Sequence, residues 1–75
     1  MNNKKVITEF VKKYRDTEAV ISFKIGRAII IKNGILRLIN GKIALDNVTS
    51  RYIIPAKLIK YIGLKSSPEH FEKID

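Results

Sequence analysis

The sequence contains no cysteine, so disulfide bonds and thiolate zinc sites are excluded. Its one histidine, His70, cannot build a metal site alone, and we expect neither a metal nor a cofactor. No apolar run approaches the roughly 20 residues that span a bilayer. Residues 1–5 also lack the apolar segment and cleavage site of a signal peptide. These absences predict a cytoplasmic protein.

Acidic residues are few and scattered. The chain has 7 Asp and Glu against 15 Lys and Arg, and its net charge is +8. The acids before residue 65 do not form a recognisable carboxylate pair, and no histidine in that part can activate a nucleophile. Glycines occur singly, which excludes a phosphate-cradling loop. We therefore expect no enzyme activity and no small-molecule substrate.

The chain is one small domain of 75 residues. A domain of this size buries only roughly 60% of its extended-chain surface, so its core is marginal without disulfides, metals or partners. Since the first two are excluded, self-association is the expected remedy. The excess of positive charge indicates an anionic partner, with nucleic acid first and an acidic membrane surface second.

Periodicity places one helix before a run of strands. Apolar residues at positions 6, 7, 10, 11 and 14 form one stripe, which predicts a helix over residues 4–16. Alternation over residues 19–25 predicts a strand. Asn33-Gly34 and Asn40-Gly41 then separate β-branched runs, which predicts three short strands in a meander.

The stretch from residue 48 to residue 64 is ambiguous. Residues 52–54 favour a strand, which Pro55 interrupts. Residues 56–62 suit either a last strand or a short helix, and Gly63 ends either one. Residues 65–75 form a short acidic tail of net charge −1, in which residues 67–69 resemble a helix start.

This pattern resembles the bacterial Hfq family, the hexameric branch of the Sm-like RNA-binding proteins. Residues 10–15 resemble the end of the family's helix, FLNALR, and residues 19–25 resemble its strand VPVSIYL. Residues 45–54 are similar to its LKNTVSQMVY. The resemblance implies a mainly β fold with an N-terminal α-helix on a strongly bent, five-stranded antiparallel Sm-like (SH3-like) barrel. Residues 1–64 would form this domain, with the helix at 4–16 and the sheet at 19–62.

The resemblance also implies which residues bind RNA. The family's YKHA signature falls on residues 54–57, where Lys57 takes the place of the missing aromatic and histidine. The family's Gln-Phe pair falls on Asn40-Gly41, which keeps an amide and loses the ring. The expected pore face comprises Asn40, Gly41, Lys42, Arg51 and Lys57. The expected rim comprises Lys12, Lys13 and Arg15.

The expected function is that of an RNA chaperone. The chain would form a homohexameric ring that binds single-stranded, U-rich or A/U-rich RNA, and it would have no membrane partner. Such a ring pairs the edge strand of one copy with the opposite edge of the next. Two other interpretations stay open. Residues 50–65 resemble the GRVTIPKEIREKLGLK element of AbrB-type swapped-hairpin DNA-binding dimers, which requires a helix at residues 56–62. A protein-binding module would use its basic charge only for solubility.

Overall fold

The computed structural model describes residues 3–67 and 71–73, which contain one α-helix, six strands and one 3₁₀ turn. In chain order they are α1 (Asn3–Lys13), β1 (Glu18–Ile25), β2 (Ala28–Ile39), β3 (Lys42–Asp46), β4 (Arg51–Ile53), the 3₁₀ turn (Ala56–Leu58), β5 (Ile59–Leu64) and β6 (Phe71–Lys73). The strands form one antiparallel sheet in the order β4-β3-β2-β1-β5-β6. The mainly β class with an N-terminal helix is confirmed. The sheet is open rather than closed into a barrel, and the described residues add a sixth strand to the five expected.

Helix α1 covers the core with the predicted apolar stripe. Ile7, Phe10 and Val11 are buried. The helix ends at Lys13, three residues before the predicted end, because Asp16 adopts a left-handed backbone conformation with φ of 68°. Asp16 N then donates to Leu36 O at 3.0 Å, and Leu36 N donates to Thr17 O at 3.0 Å. These two bonds attach the chain to β2 as soon as the helix ends.

The predicted hairpin turn at Asn33-Gly34 is wrong. Strand β2 runs through both residues without a break, and the first hairpin turns instead between Ile25 and Ala28. Gly34 allows another backbone segment to approach closely and does not form a turn. A Cβ atom there would lie 2.5 Å from the backbone oxygen of Asp46 at the end of β3. A glycine inside a strand often marks such an approach of another backbone segment.

Strand β2 is bent. Its 12 residues would extend about 36 Å if straight, whereas the chain measures 27 Å along its longest axis. Residues 28–35 pair with β1 and residues 35–39 pair with β3, so the two ladders overlap only at Ile35. Lys32 Nζ also lies 5.1 Å from the ring centre of Tyr52, although β3 separates their strands in the sheet order. The bend therefore faces one half of the sheet towards the other.

One hydrophobic core fills the space inside this bend. The fully buried large side chains come from the helix and from both halves of the sheet, and they are Ile7, Val11, Ile21, Leu36, Leu45, Ile59 and Ile62. No polar or charged side chain of the described residues is buried. The helix packs against β2 and the 3₁₀ turn, which seals the core.

The ambiguous stretch resolves into a turn and a strand. Residues 56–58 form the 3₁₀ turn, and residues 59–64 form β5 along β1. The AbrB-type interpretation required a helix there, so it loses its structural basis. The predicted helix start at residues 67–69 extends outside the described residues. Residues 71–73 of the predicted tail form β6, which pairs with β5.

Gly34→Ala is expected to destabilise the chain, because its Cβ would overlap the backbone of Asp46. Overpacking of this kind costs about 1–3 kcal/mol. Urea unfolding measures the loss. Asn33→Ala, at the exposed neighbouring position, is the control and should change the free energy of unfolding by less than about 0.5 kcal/mol. Equal stability of the two variants would contradict the close approach.

Candidate nucleic-acid interface

Asn40 and Gly41 form the tight turn between β2 and β3, as the sequence predicts. Both residues have positive φ, 51° for Asn40 and 77° for Gly41, the combination that a two-residue hairpin turn with the right twist requires. Register pairs Ile39 with Lys42, so the turn contains only these two residues. Asn40, Gly41 and Lys42 are all exposed. The turn therefore presents an amide and an ammonium group to solvent.

Lys57 follows β4, a strand that finishes at the same end of the sheet as this turn. After β4, Ile54 N donates to Ile43 O at 2.9 Å, so the chain leaves the ladder beside the first residues of β3. Pro55 then starts the 3₁₀ turn, which Leu58 N closes by donating to Pro55 O at 3.0 Å. Lys57 is exposed in that turn. We call Asn40, Gly41, Lys42 and Lys57 the turn cluster.

The cations of the turn cluster are not neutralised within the described chain. Neither Lys42 nor Lys57 forms an ion pair with a carboxylate of residues 3–67. Two exposed ammonium groups with no local counter-charge attract phosphates, and the Asn40 amide offers both a hydrogen-bond donor and an acceptor. This combination suits a single-stranded nucleic acid, which presents phosphates and free base edges together.

Arg51 lies apart from the turn cluster. It pairs with Asp46 in the ladder, whereas Lys42 begins the same strand, so β3 separates Arg51 from the turn by about 13 Å. Arg51 Nε and Nη2 donate to the two carboxylate oxygens of Asp46 at 2.6 and 2.9 Å. The structure therefore separates Arg51 from the other four residues predicted for the pore face.

Asp46 holds a second arginine, Arg37, that the sequence reasoning missed. Arg37 Nε donates to Asp46 Oδ2 at 3.3 Å, and Arg37 Nη1 pairs with Asp16. The hydrogen bond from Arg51 lowers the pKa of Asp46, and Arg37 adds to this effect. Alternation along β2 predicts that the Arg37 side chain faces outward. Only the register shows that it lies diagonally across the ladder from Asp46. We call Asp16, Arg37, Asp46 and Arg51 the ion-pair cluster.

The ion-pair cluster has no net charge, since two arginines meet two carboxylates. It borders an open groove of about 550 Å³ between the bend of β2 and the loop after β3. Glu18 and Asn33 also line this groove, together with apolar Ile35 and Val48. A surface with balanced charges attracts phosphates weakly. The groove therefore ranks below the turn cluster as a nucleic-acid site.

The predicted rim cations Lys12, Lys13 and Arg15 are exposed at the end of α1 and in the turn that follows. Lysines in a last helical turn are stabilised by the helix dipole, so their position needs no ligand to explain it. Lys13 Nζ also lies 5.3 Å from the ring centre of Tyr14. Lys12 and Arg15 form no ion pair within residues 3–67, which leaves both charges available to a phosphate.

Two further observations bear on ligands. The described residues contain no group of three or more His, Cys, Asp or Glu side chains placed to hold a metal ion. Within the same residues, no helix has the length and apolar character needed to cross a membrane.

Asp46→Asn is expected to destabilise the chain at neutral pH, because Arg37 and Arg51 lose their shared carboxylate. The pKa of Asp46 is lower in the folded chain than its ordinary value of 3.8, so these ion pairs add stability above that value. The added stability is lost as pH falls through the folded pKa. The difference between parent and variant in urea unfolding should therefore disappear in strong acid.

The control is Glu18→Gln, which removes the ion pair of Glu18 Oε2 with Lys65 Nζ at 3.0 Å. Both side chains are half exposed there, so its effect at neutral pH should be smaller. A difference between Asp46→Asn and the parent that persists unchanged in acid would count against the role assigned to this carboxylate.

Comparison with known proteins identifies no relative. No protein family, curated protein or solved structure matches the chain.

Proposed function

We propose that the chain is an Sm-like protein that assembles into a homohexameric ring and acts as an RNA chaperone. It holds single-stranded, U-rich or A/U-rich RNA and helps strands to pair. The observation that carries this proposal is the turn cluster, in which Lys42, Lys57 and the Asn40 amide are exposed and neither lysine pairs with a carboxylate of residues 3–67.

The fold is compatible with the resemblance to the Hfq family. That resemblance implies an N-terminal helix on a strongly bent antiparallel sheet, and the chain has both features. The chain leaves β4 beside Ile43, two residues after the turn between β2 and β3, and the family's RNA-binding motifs fall on that turn and on the segment after β4. The likeness supports an Sm-like fold and, with it, assembly into a ring.

The open sheet supplies a physical reason for assembly. An edge strand leaves backbone N–H and C=O groups without partners, and pairing between copies satisfies them. Strand β4 is one edge of the described sheet, and its Ile53 is 49% exposed. Mating this edge with another copy would cover both the backbone groups and the apolar side chain. Six copies would carry about 48 excess positive charges, which attract RNA.

Within the ring, the turn clusters of neighbouring copies would present cations to one RNA strand. Lys42 and Lys57 would neutralise phosphates, and the Asn40 amide would bond the edge of an unpaired base. The rim cations Lys12, Lys13 and Arg15 would extend the contact around the outside. Arg51 would act on assembly through Asp46 rather than on RNA, since its charge is already matched.

Ile53→Lys is expected to weaken assembly, because a charge on an edge strand opposes pairing with another strand. The parent should have a solution mass near 50 kDa by light scattering at high concentration, about six times the 8.6 kDa of one chain. The variant should shift towards the mass of a single chain and keep its fold, since the side chain is half exposed.

The matched control is Ile29→Lys, whose side chain is 58% exposed and lies in β2, outside the β4 and β5 edges that the ring would pair. It adds the same charge and should keep the mass of the parent. A parent mass near 17 kDa, or equal masses for the two variants, would remove the ring built on β4.

Lys42→Ala/Lys57→Ala is expected to weaken binding of single-stranded RNA, because two phosphate contacts per copy are lost. Filter binding across a salt series measures the effect. The slope of the logarithm of affinity against the logarithm of salt should flatten by about 1.4 for each copy that the strand contacts, since each phosphate contact on a single strand contributes about 0.7. Lys12→Ala/Arg15→Ala should also weaken binding, and neither variant should change the mass of the ring.

Lys4→Ala/Lys65→Ala is the charge-matched control. Lys4 lies in the first turn of α1, about 12 Å along the helix from Lys12, and Lys65 already pairs with Glu18. The affinity of this control variant for RNA should stay closest to that of the parent. If all three double variants lost affinity equally, RNA would be responding to net charge alone and the turn cluster would not be its site.

A further inference from the structure

The outer edge of β5 is occupied by the chain's own β6. Tyr61, Ile62 and Gly63 pair with Lys73, Glu72 and Phe71 in antiparallel register. Sequence reasoning placed residues 71–73 in a tail outside the sheet. In the ring proposed above, this edge of β5 is where β4 of the next copy would pair. The same backbone groups therefore have two possible partners.

Strands β6 and β4 are matched in the features that such a competition requires. Each has three residues, and each pairs with its present neighbour in antiparallel direction. The β5 edge itself belongs to the core, since Ile62 and Gly63 are buried. Strand β4, by contrast, is an edge of the sheet with a half-exposed isoleucine. The part of β5 that β6 covers has three residues, as β4 has, so the exposed β4 could take the same place.

We propose that β6 is an internal placeholder for β4 of a second copy, so that release of the C-terminal segment from β5 controls assembly of the ring. This inference rests on the proposed function, because the ring supplies the competing strand. In a single chain β6 satisfies the β5 edge. In the ring β4 of the neighbour takes its place, and residues 71–73 leave the sheet.

The balance between the two partners depends on protein concentration. Residues 65–70 connect β5 to β6, and a short connection of this kind gives an effective concentration in the millimolar range. A second copy at micromolar concentration competes poorly with it for one edge. Closing a ring joins several interfaces at once, so assembly becomes favourable only above a threshold concentration. Any change that fixes or frees β6 should move this threshold.

The first test fixes β6 in the full chain with a disulfide. Tyr61 and Lys73 are register partners, and paired residues of antiparallel strands have Cα atoms about 4.5–5.5 Å apart, within the range that a disulfide bridges. Since the chain has no other cysteine, Tyr61→Cys/Lys73→Cys can form only this bond within one copy. The oxidised protein should need at least a tenfold higher concentration to assemble than the same protein after reduction, measured by sedimentation velocity.

The second test frees β6. Glu72→Pro removes the backbone N–H of the middle residue of β6, which pairs with Ile62. The variant should assemble at a concentration at least tenfold lower than its control, Glu72→Gln, which makes the same change in charge and keeps the N–H. Circular dichroism checks that both variants keep the sheet.

The outcomes distinguish failure of this inference from failure of the proposed ring. If oxidised and reduced proteins assemble alike and Glu72→Pro behaves as Glu72→Gln does, the ring stands and the placeholder role of β6 is wrong. If no form assembles at any concentration, the ring is wrong and the inference fails with it. RNA binding by chains that never assemble would likewise show that the ring is wrong and that the inference fails with it.

Discussion

The bend of β2 at Gly34 is the constraint on which the rest of the structure depends. Because a Cβ atom at this position would overlap the backbone of Asp46, only glycine allows β3 to end so close to the strand beside it. The bend lets one strand pair with β1 along its first half and with β3 along its second half. Two short ladders then enclose a core that a flat sheet of this size would leave open. The helix needs only to cover the remaining side, which Ile7, Phe10 and Val11 do.

The same residue shows how far the sequence could predict the fold. Asn-Gly is a strong local hairpin signal, and at Asn40-Gly41 it predicts the turn correctly. At Asn33-Gly34 the same pair lies inside a strand, because the contact with Asp46 is made by residues 12 positions apart in the sequence and is invisible to a local pattern. Residues 56–62 stayed ambiguous for the same reason, since pairing with β1 decides between helix and strand. The helix was predictable because its apolar stripe is a local property.

The candidate site, like the fold, could be predicted only in part from the sequence. Composition alone predicts an anionic partner, and exposed lysines in turns follow from the turn chemistry. Which lysines remain free depends on where the acids lie, and this is a property of the register. Glu18 and Asp46, the acids of strands β1 to β5, are matched by Lys65, Arg37 and Arg51. The arginines therefore serve the fold, and the lysines at positions 42 and 57 retain their charge for a ligand. Arg51, grouped with those lysines by resemblance, differs from them in pairing with Asp46.

The edges of the sheet connect stability to assembly. A chain this small buries too little surface to be very stable alone, and the two ends of its sheet are short strands of three residues each. Covering β5 with β6 relieves one edge at the cost of ordering a three-residue strand. In the proposed ring, pairing of β5 with β4 of another copy would relieve two edges at once and would bury Ile53 as well. This arrangement would require another molecule. The proposed RNA ligand would gather many copies along one strand, which would favour the ring where RNA is bound and the single chain where it is absent.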